Sequence, residues 1–342
     1  MDSLLSTMEF HQTVPEQFVL PPEKRVAGEI NTSVSLPVID LRGGPHCYVE
    51  DRDKLIEQVL QAGKEFGFFQ VINHGVSEQL MKDIMGVTEE FFNMPKEDKA
   101  AFYSEDTSKT NRLFSSTIYG KDGPRYWRDC LKLACYPVPE TINEWPDKPT
   151  KFREVLAKFI VEAREVSMML LTLICEGLGL KEGYFEGDVS SGQVLINANY
   201  YPPCPKPDLT LGLPPHCDRN LITLLLQGEV SGLQIMHQGR WVGAAPVPNA
   251  FVVNFGHQLE IITNGILKSV EHRAVTNSGA ARMSMAVFIM PTMESFISSA
   301  KELINEENPP LYKSFLFKDF LRIYTDLSAK RVDVMEAFKV NG

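Results

Sequence analysis

The sequence predicts a mainly β protein with flanking helices: an all-β core in the C-terminal half and a helix-rich N-terminal half wrapped on it. Three observations carry this. Between residues 192 and 291 the chain breaks into short apolar runs punctuated by Gly, Pro and Asn, the pattern of a sandwich or barrel. Before residue 191 the long apolar patterns recur at helical spacing. And 342 residues, 44% hydrophobic and 10% aromatic, suffice to bury a core without staples and exclude wholesale disorder.

The elements follow in order. Residues 1–35 read as an extended arm, because Pro15, Pro21 and Pro22 disfavour helix. Residues 1–9 lack a basic segment followed by a long apolar run, so no signal peptide is expected. Residues 36–41 form a short strand. Residues 55–66 form a helix with Leu55, Val59, Ala62 and Phe66 on one face. Residues 67–75 read as a buried strand closed by a turn. Ser77 caps the next helix, which carries Leu80, Ile84, Val87 and Phe91. The longest helix spans 149–179 and ends at Gly177 and Gly179. Strands are then expected at 194–201, 221–227, 233–237, 241–246, 250–255, 259–263, 268–276 and 282–291, with a hairpin turn at 237–240. Pro309 and Pro310 mark a loop before a helix at 317–324. There is no internal repeat. The expected organisation is one structural unit: arm and helices at 1–191, β core at 192–292, and a C-terminal loop and helix at 293–342.

Charge and cysteines bound the partners. With 44 acidic against 34 basic residues and a net charge of −10, nucleic acid is not an expected partner, since such binding needs a basic surface. The most apolar stretch, residues 167–175, is too short to span a bilayer, which takes roughly 20 residues. The six cysteines include no CxxC pair, and reduced thiols in a cytoplasmic protein are the expectation.

The chemistry concentrates in four places. His216 and Asp218 lie two residues apart on what reads as extended chain, so they point to the same side. His272 sits on a later strand. Two imidazoles and one carboxylate form the facial triad of non-haem Fe(II) oxygenases, leaving three positions open. An isolated HxD occurs by chance in many proteins, and a lone buried histidine is more often a satisfied core residue. What strengthens the reading is Arg282-Met283-Ser284 on the next strand: Arg282 and Ser284 share a face, suited to a carboxylate. The apolar neighbours Met283, Met285, Val287 and Ile289 argue against a surface salt bridge. Asn199 and Tyr201 share a face of the strand before the metal loop, where their polar ends could reach a co-substrate. His74, His237 and His257 read as turn residues rather than ligands.

These residues, with Leu36-Pro37-Val38-Ile39-Asp40-Leu41, the run from Gly67 to Gly75 and Asn199-Tyr200-Tyr201-Pro202-Pro203-Cys204-Pro205, resemble the plant 2-oxoglutarate/Fe(II)-dependent dioxygenases over nearly the whole chain. The resemblance implies a distorted double-stranded β-helix (jelly roll) core. It implies Fe(II) held by His216, Asp218 and His272, and 2-oxoglutarate held by Arg282 and Ser284 with Tyr201 and Asn199 nearby. It also implies dioxygen as co-substrate, ascorbate as reductant and a monomer. The reaction it implies is oxidative decarboxylation to succinate coupled to hydroxylation of an unactivated C–H, and Asp218 argues against a halogenase.

Stretches such as Asn111-Arg112-Leu113-Phe114, Tyr126-Trp127-Arg128-Asp129-Cys130 and Phe288-Ile289-Met290-Pro291-Thr292 resemble the branch acting on 2'-deoxymugineic acid, an amino-polycarboxylate, and more loosely the hyoscyamine-hydroxylating branch. Where most members have Asp after the Val253-Asn254-Phe255-Gly256 run, this chain has His257. A polycarboxylate needs positive charge in the pocket. Arg219, and Arg112 in a loop over 111–119, are the candidates; the alternative is solvated surface charge. Phe114, Tyr119 and Phe288 are candidate apolar walls, or ordinary core. Other readings are a hydroxylase or desaturase of an alkaloid, phenolic or hormone-like molecule, an iron oxidase that does not use 2-oxoglutarate, and a catalytically silent binding protein on the same fold.

Overall fold

The computed structural model describes residues 4–7, 13–26, 34–42, 49–116, 123–330 and 333–340. In chain order the first half contains Val38–Asp40 (β1), Val49–Glu65 (α1), Phe68–Ile72 (β2), Glu78–Asn93 (α2), Lys96–Lys99 (α3), Arg112–Ser115 (β3), Asp129–Tyr136 (β4), Val138–Thr141 (α4) and Phe152–Gly177 (α5). The second half contains Val194–Tyr201 (β5), Leu213–His216 (β6), Ile222–Leu226 (β7), Leu233–His237 (β8), Arg240–Gly243 (β9), Phe251–Phe255 (β10), His257–Ile262 (α6), His272–Ala274 (β11), Arg282–Ile289 (β12), Phe296–Ile297 (β13), Phe315–Leu316 (β14) and Phe317–Lys330 (α7).

Local chemistry explains the helix ends. The Ser77 hydroxyl accepts from the Leu80 amide at 3.2 Å, capping α2 as its sequence predicts. α5 ends where Gly179 takes a positive φ of 65° and its amide reaches back to Glu176 O. The apolar stripe of α5 is buried, including Phe152, Leu156, Phe159, Ile160, Leu170 and Leu173. α5 packs against α1 and α2 and against β7 and β12 of the main sheet.

That sheet has eight strands in the order β1-β2-β10-β7-β12-β5-β4-β3, and a second has four in the order β6-β11-β8-β9. Only the β1–β2 pair is parallel; every other pairing within these two sheets is antiparallel. Together they make the expected jelly roll, a distorted double-stranded β-helix flanked by helices. Side chains from both sheets line one cavity.

Four expectations are corrected. Residues 259–263 are not a strand: α6 covers His257–Ile262 and buries Leu259, Ile261 and Ile262. A short apolar run suits either element, and here the chain turns at Gly256, whose amide donates to Leu221 O. Arg112 is not in a loop but opens β3. The division at residue 192 does not follow the sheets, because β1 to β4 supply four of the eight strands of the main one. The arm, where described, forms short helical turns at Leu5–Thr7, Glu16–Phe18 and Pro22–Lys24 rather than a plain extended run. It is pinned by buried Asp129, whose carboxylate oxygens accept from the Leu5 and Ser6 amides at 3.0 and 2.7 Å. Among the described residues no helix is long and apolar enough to cross a membrane, and all five described cysteines are unpaired; Cys47 lies outside the described residues.

Candidate active site

The β6 strand ends at His216 and β11 starts at His272, and the two residues are register partners in the smaller sheet. Their rings are 4.2 Å apart. Asp218 follows two residues after His216, and its Oδ1 lies 3.7 Å from His216 Nε2 and 3.8 Å from His272 Nε2. One donor atom from each of the three falls within 4.8 Å of the others, the grouping a single ion needs. No other such grouping occurs among the described residues, and His74, His237 and His257 stand outside it.

Neighbouring groups hold the three donors in the right state. His216 Nδ1 lies 2.9 Å from Pro214 O and His272 Nδ1 lies 3.1 Å from Val270 O. Each Nδ1–H therefore donates to a carbonyl, which leaves both Nε2 lone pairs facing Asp218. The second oxygen of Asp218, Oδ2, accepts from Thr223 Oγ1 at 2.7 Å and from Asn254 Nδ2 at 2.8 Å, freeing Oδ1 for a metal. Thr223 and Asn254 are register partners on β7 and β10. Burial pushes His216 down to about 4, with His272 adding to the effect and Asp218 opposing it. Burial works to raise the Asp218 carboxyl, but the imidazoles of His272 and His216 and the hydrogen bonds from Asn254 and Thr223 outweigh it and hold it below the ordinary value. Neutral imidazoles and an ionised carboxylate are the forms that bind a divalent ion. The donor set fits iron, and all three donors line the cavity.

Next to it on the main sheet, β12 runs antiparallel to β5, with Arg282 opposite Tyr201 and Ser284 opposite Asn199. Arg282 is 2% exposed. Its Nε donates to Val230 O at 3.2 Å, its Nη1 lies 3.5 Å from Ser284 Oγ, and its guanidinium sits 5.1 Å from the Tyr201 ring. Gly232 makes room for it, since a Cβ there would lie 2.8 Å from Arg282 Cδ. No carboxylate pairs with Arg282 among the described residues. A buried, unpaired guanidinium is costly unless an anion meets it, and burial lowers its pKa in this state. A dicarboxylate with one end on the metal fits that need. Asn199 is already engaged: its Oδ1 accepts from Arg128 at 3.1 Å and its Nδ2 donates to Asn197 O at 3.1 Å. It therefore aligns Arg128 and the strand as well as lining the cavity.

The cavity measures about 560 Å³, the size of a small-molecule site. Of the residues singled out from sequence for substrate, Arg112, Phe114, Arg219 and Phe288 all line it. Tyr119 lies outside the described residues. Arg112 is half-buried rather than a solvated surface charge; its guanidinium lies 3.9 Å over the Phe114 ring and donates to Ser104 O at 3.3 Å. Arg219 sits 5.9 Å from the Tyr324 ring of α7, which reaches back to the metal loop through a 3.0 Å bond to Cys217 O. Sequence reasoning passed over Thr223, Asn254, Arg128, Lys132 and Asn197. Only strand alternation could have flagged Asn197, two residues before Asn199 on the same face.

Comparison with known proteins agrees with this geometry. Residues 192–291 match the 2OG-Fe(II) oxygenase superfamily, and residues 36–148 match the family described as non-haem dioxygenase in morphine synthesis N-terminal. A 2'-deoxymugineic-acid 2'-dioxygenase from Hordeum vulgare is 54% identical over 95% of this chain and 94% of its own length. A mugineic-acid 3-dioxygenase from Hordeum vulgare is 47% identical over 91% of this chain and 89% of its own. Among solved structures, JOX2 in complex with 2OG, Fe and JA superposes with a TM-score of 0.87 at 31% identity, covering 98% of this chain and 96% of that one.

Proposed function

The chain belongs to the 2OG-Fe(II) oxygenase superfamily, and from that premise we propose that it hydroxylates an unactivated C–H of 2'-deoxymugineic acid or a related amino-polycarboxylate. It is an Fe(II)- and 2-oxoglutarate-dependent dioxygenase, so the substrate is the open question. One observation carries the answer. The cavity wall beyond the triad is cationic: Arg112, Arg128, Lys132 and Arg219 face it, and among the described residues Glu105 is the one acid there apart from Asp218. An alkaloid amine would meet repulsion in such a wall, whereas carboxylates meet charge-assisted hydrogen bonds. The relatives at 54% and 47% identity act, by their names, on acids of this kind.

In this reading His216, Asp218 and His272 hold iron. The carbonyls of Pro214 and Val270 keep the imidazoles in the metal-binding tautomer, and Thr223 and Asn254 keep Asp218 Oδ1 aimed inward. Arg282 and Ser284 hold the far carboxylate of 2-oxoglutarate, with the Tyr201 ring against the guanidinium. Iron with 2-oxoglutarate supplies the oxygen activation. The chain supplies orientation and charge, and the apolar walls Phe114 and Phe288 exclude water. Cytoplasmic residence as a monomer, with ascorbate as reductant, completes the proposal.

The test is succinate release with iron(II), ascorbate and 2-oxoglutarate against a metabolite panel containing 2'-deoxymugineic acid. Alanine at His216, Asp218 or His272 should abolish it. Arg112→Ala and Arg219→Ala should raise the substrate KM while uncoupled 2-oxoglutarate turnover persists. Turnover of a neutral phenolic or an alkaloid in preference to the acid would overturn the substrate class.

A further inference from the structure

Lys132 on β4 stands opposite Asn197 on β5 and opposite Arg112 on β3, so the three form one row across the main sheet. All three face the cavity, and none is needed by the iron or 2-oxoglutarate groups. Each has unused capacity. Asn197 Oδ1 and Arg112 Nε are buried without a hydrogen-bond partner. Lys132 takes part in no ion pair among the described residues. Burial, then the neighbouring Arg219 and Arg112, push Lys132 down to about 8.

A buried acceptor atom with no donor, next to half-buried cations in no ion pair among the described residues, is unfavourable in such a wall. One ligand group satisfies both: an α-aminocarboxylate, which carries an anion and a hydrogen-bond-donating ammonium on the same carbon. Opposed residues on neighbouring strands have Cβ atoms about 4.5–5.5 Å apart, close enough for two adjacent groups of one ligand. A simple carboxylate would satisfy the cations and leave Asn197 Oδ1 unpaired.

Resting on the amino-polycarboxylate reading above, we propose that Lys132 and Asn197 form a head-group subsite for one α-aminocarboxylate end of the substrate. Lys132, with Arg112 beside it, takes the carboxylate, and Asn197 Oδ1 accepts from the ammonium. The subsite sets specificity and register of the substrate and takes no part in the oxidation.

The test measures binding in the absence of dioxygen, on enzyme loaded with iron(II) and 2-oxoglutarate. The probes are 2'-deoxymugineic acid and a set of free α-amino acids with their methyl esters. Lys132→Met and Asn197→Leu should each weaken 2'-deoxymugineic acid at least tenfold. Lys132→Arg should stay within threefold of wild type. Affinity for 2-oxoglutarate should not change in any of them, which also reports that the variants are folded. Wild-type affinity in both Lys132→Met and Asn197→Leu overturns the subsite while the substrate reading stands. If wild type ignores 2'-deoxymugineic acid but binds α-amino acids over their esters through Lys132, the substrate reading falls and the subsite stands. If it binds neither probe, both fall.

Discussion

At Arg282 a full positive charge is buried with a backbone carbonyl, the Ser284 hydroxyl and the Tyr201 side chain near it, and with no carboxylate among the described residues. That is unstable bookkeeping unless an anion completes it, and a charge-assisted hydrogen bond contributes about 1.5–3 kcal/mol. Arg282→Leu should therefore raise the KM for 2-oxoglutarate by roughly 10- to 100-fold, at about 1.4 kcal/mol per tenfold. Iron binding should be preserved, and Arg282→Lys should fall between, since it keeps the charge but loses the planar fork. Co-substrate titrations of succinate release, with iron affinity measured separately, check this; an unchanged KM in Arg282→Leu would remove the assignment. Arg282 and Ser284 were legible in the sequence because a two-residue step on a strand keeps them on one face. The same step made His216 and Asp218 legible. Thr223 and Asn254 were not, although both bond Asp218 Oδ2. They come from β7 and β10, and only sheet register makes them neighbours.

At the scale of elements, the metal loop is held by the approach of one backbone to another. A Cβ on Gly256 would lie 2.0 Å from Asn220 O, two residues after Asp218. The clash is with backbone, so it cannot be relieved by a side-chain rotation. Gly256→Ala should shift this loop, at a cost of about 1–3 kcal/mol by the usual scale of overpacking. The expected result is a lowered melting temperature together with weakened iron affinity. A variant that melts and binds iron like wild type would show that the loop accommodates the methyl without moving Asp218. Gly256 also explains why residues 259–263 were misread as a strand. The apolar run was correct, but the turn that converts it into α6 depends on a contact with Leu221 and Asn220 that no local pattern reveals. Conversely, α2 and α5 were legible because their signals are local: the Ser77 cap and an apolar stripe for α2, an apolar stripe and terminal glycines for α5.

At the scale of the whole molecule, the chain carries a net charge of −10 and yet gathers arginine and lysine around one cavity. Such focusing favours an anionic ligand over the bulk charge. Its sharpest consequence is a pH dependence through Lys132. Burial is the main cause of its lowered pKa; Arg219 in the metal loop and Arg112 on β3 add to it, and Cys130 on its own strand opposes it. Below about pH 8 Lys132 is protonated and can hold a carboxylate; above it the free enzyme loses that cation, and substrate binding weakens. The dissociation constant for an acidic substrate should rise across pH 8–9 in wild type relative to Lys132→Arg, whose charge persists. The ratio cancels titration of the substrate's own amines. A flat ratio over that window would remove Lys132 from the binding site.

The sequence by itself determined the chemistry and the class of fold. His216 with Asp218, and Arg282 with Ser284, are read from two-residue steps of extended chain, and the β core from short apolar runs between turns, because those signals are local. The tertiary structure decided which strands lie side by side. It carried β1 to β4 from the N-terminal half into the main sheet, set Thr223 and Asn254 behind Asp218, and aligned Arg112, Lys132 and Asn197 in one row. Those neighbours are far apart along the chain, and the pairing that joins them is made by backbone hydrogen bonds, which carry no mark of side-chain identity.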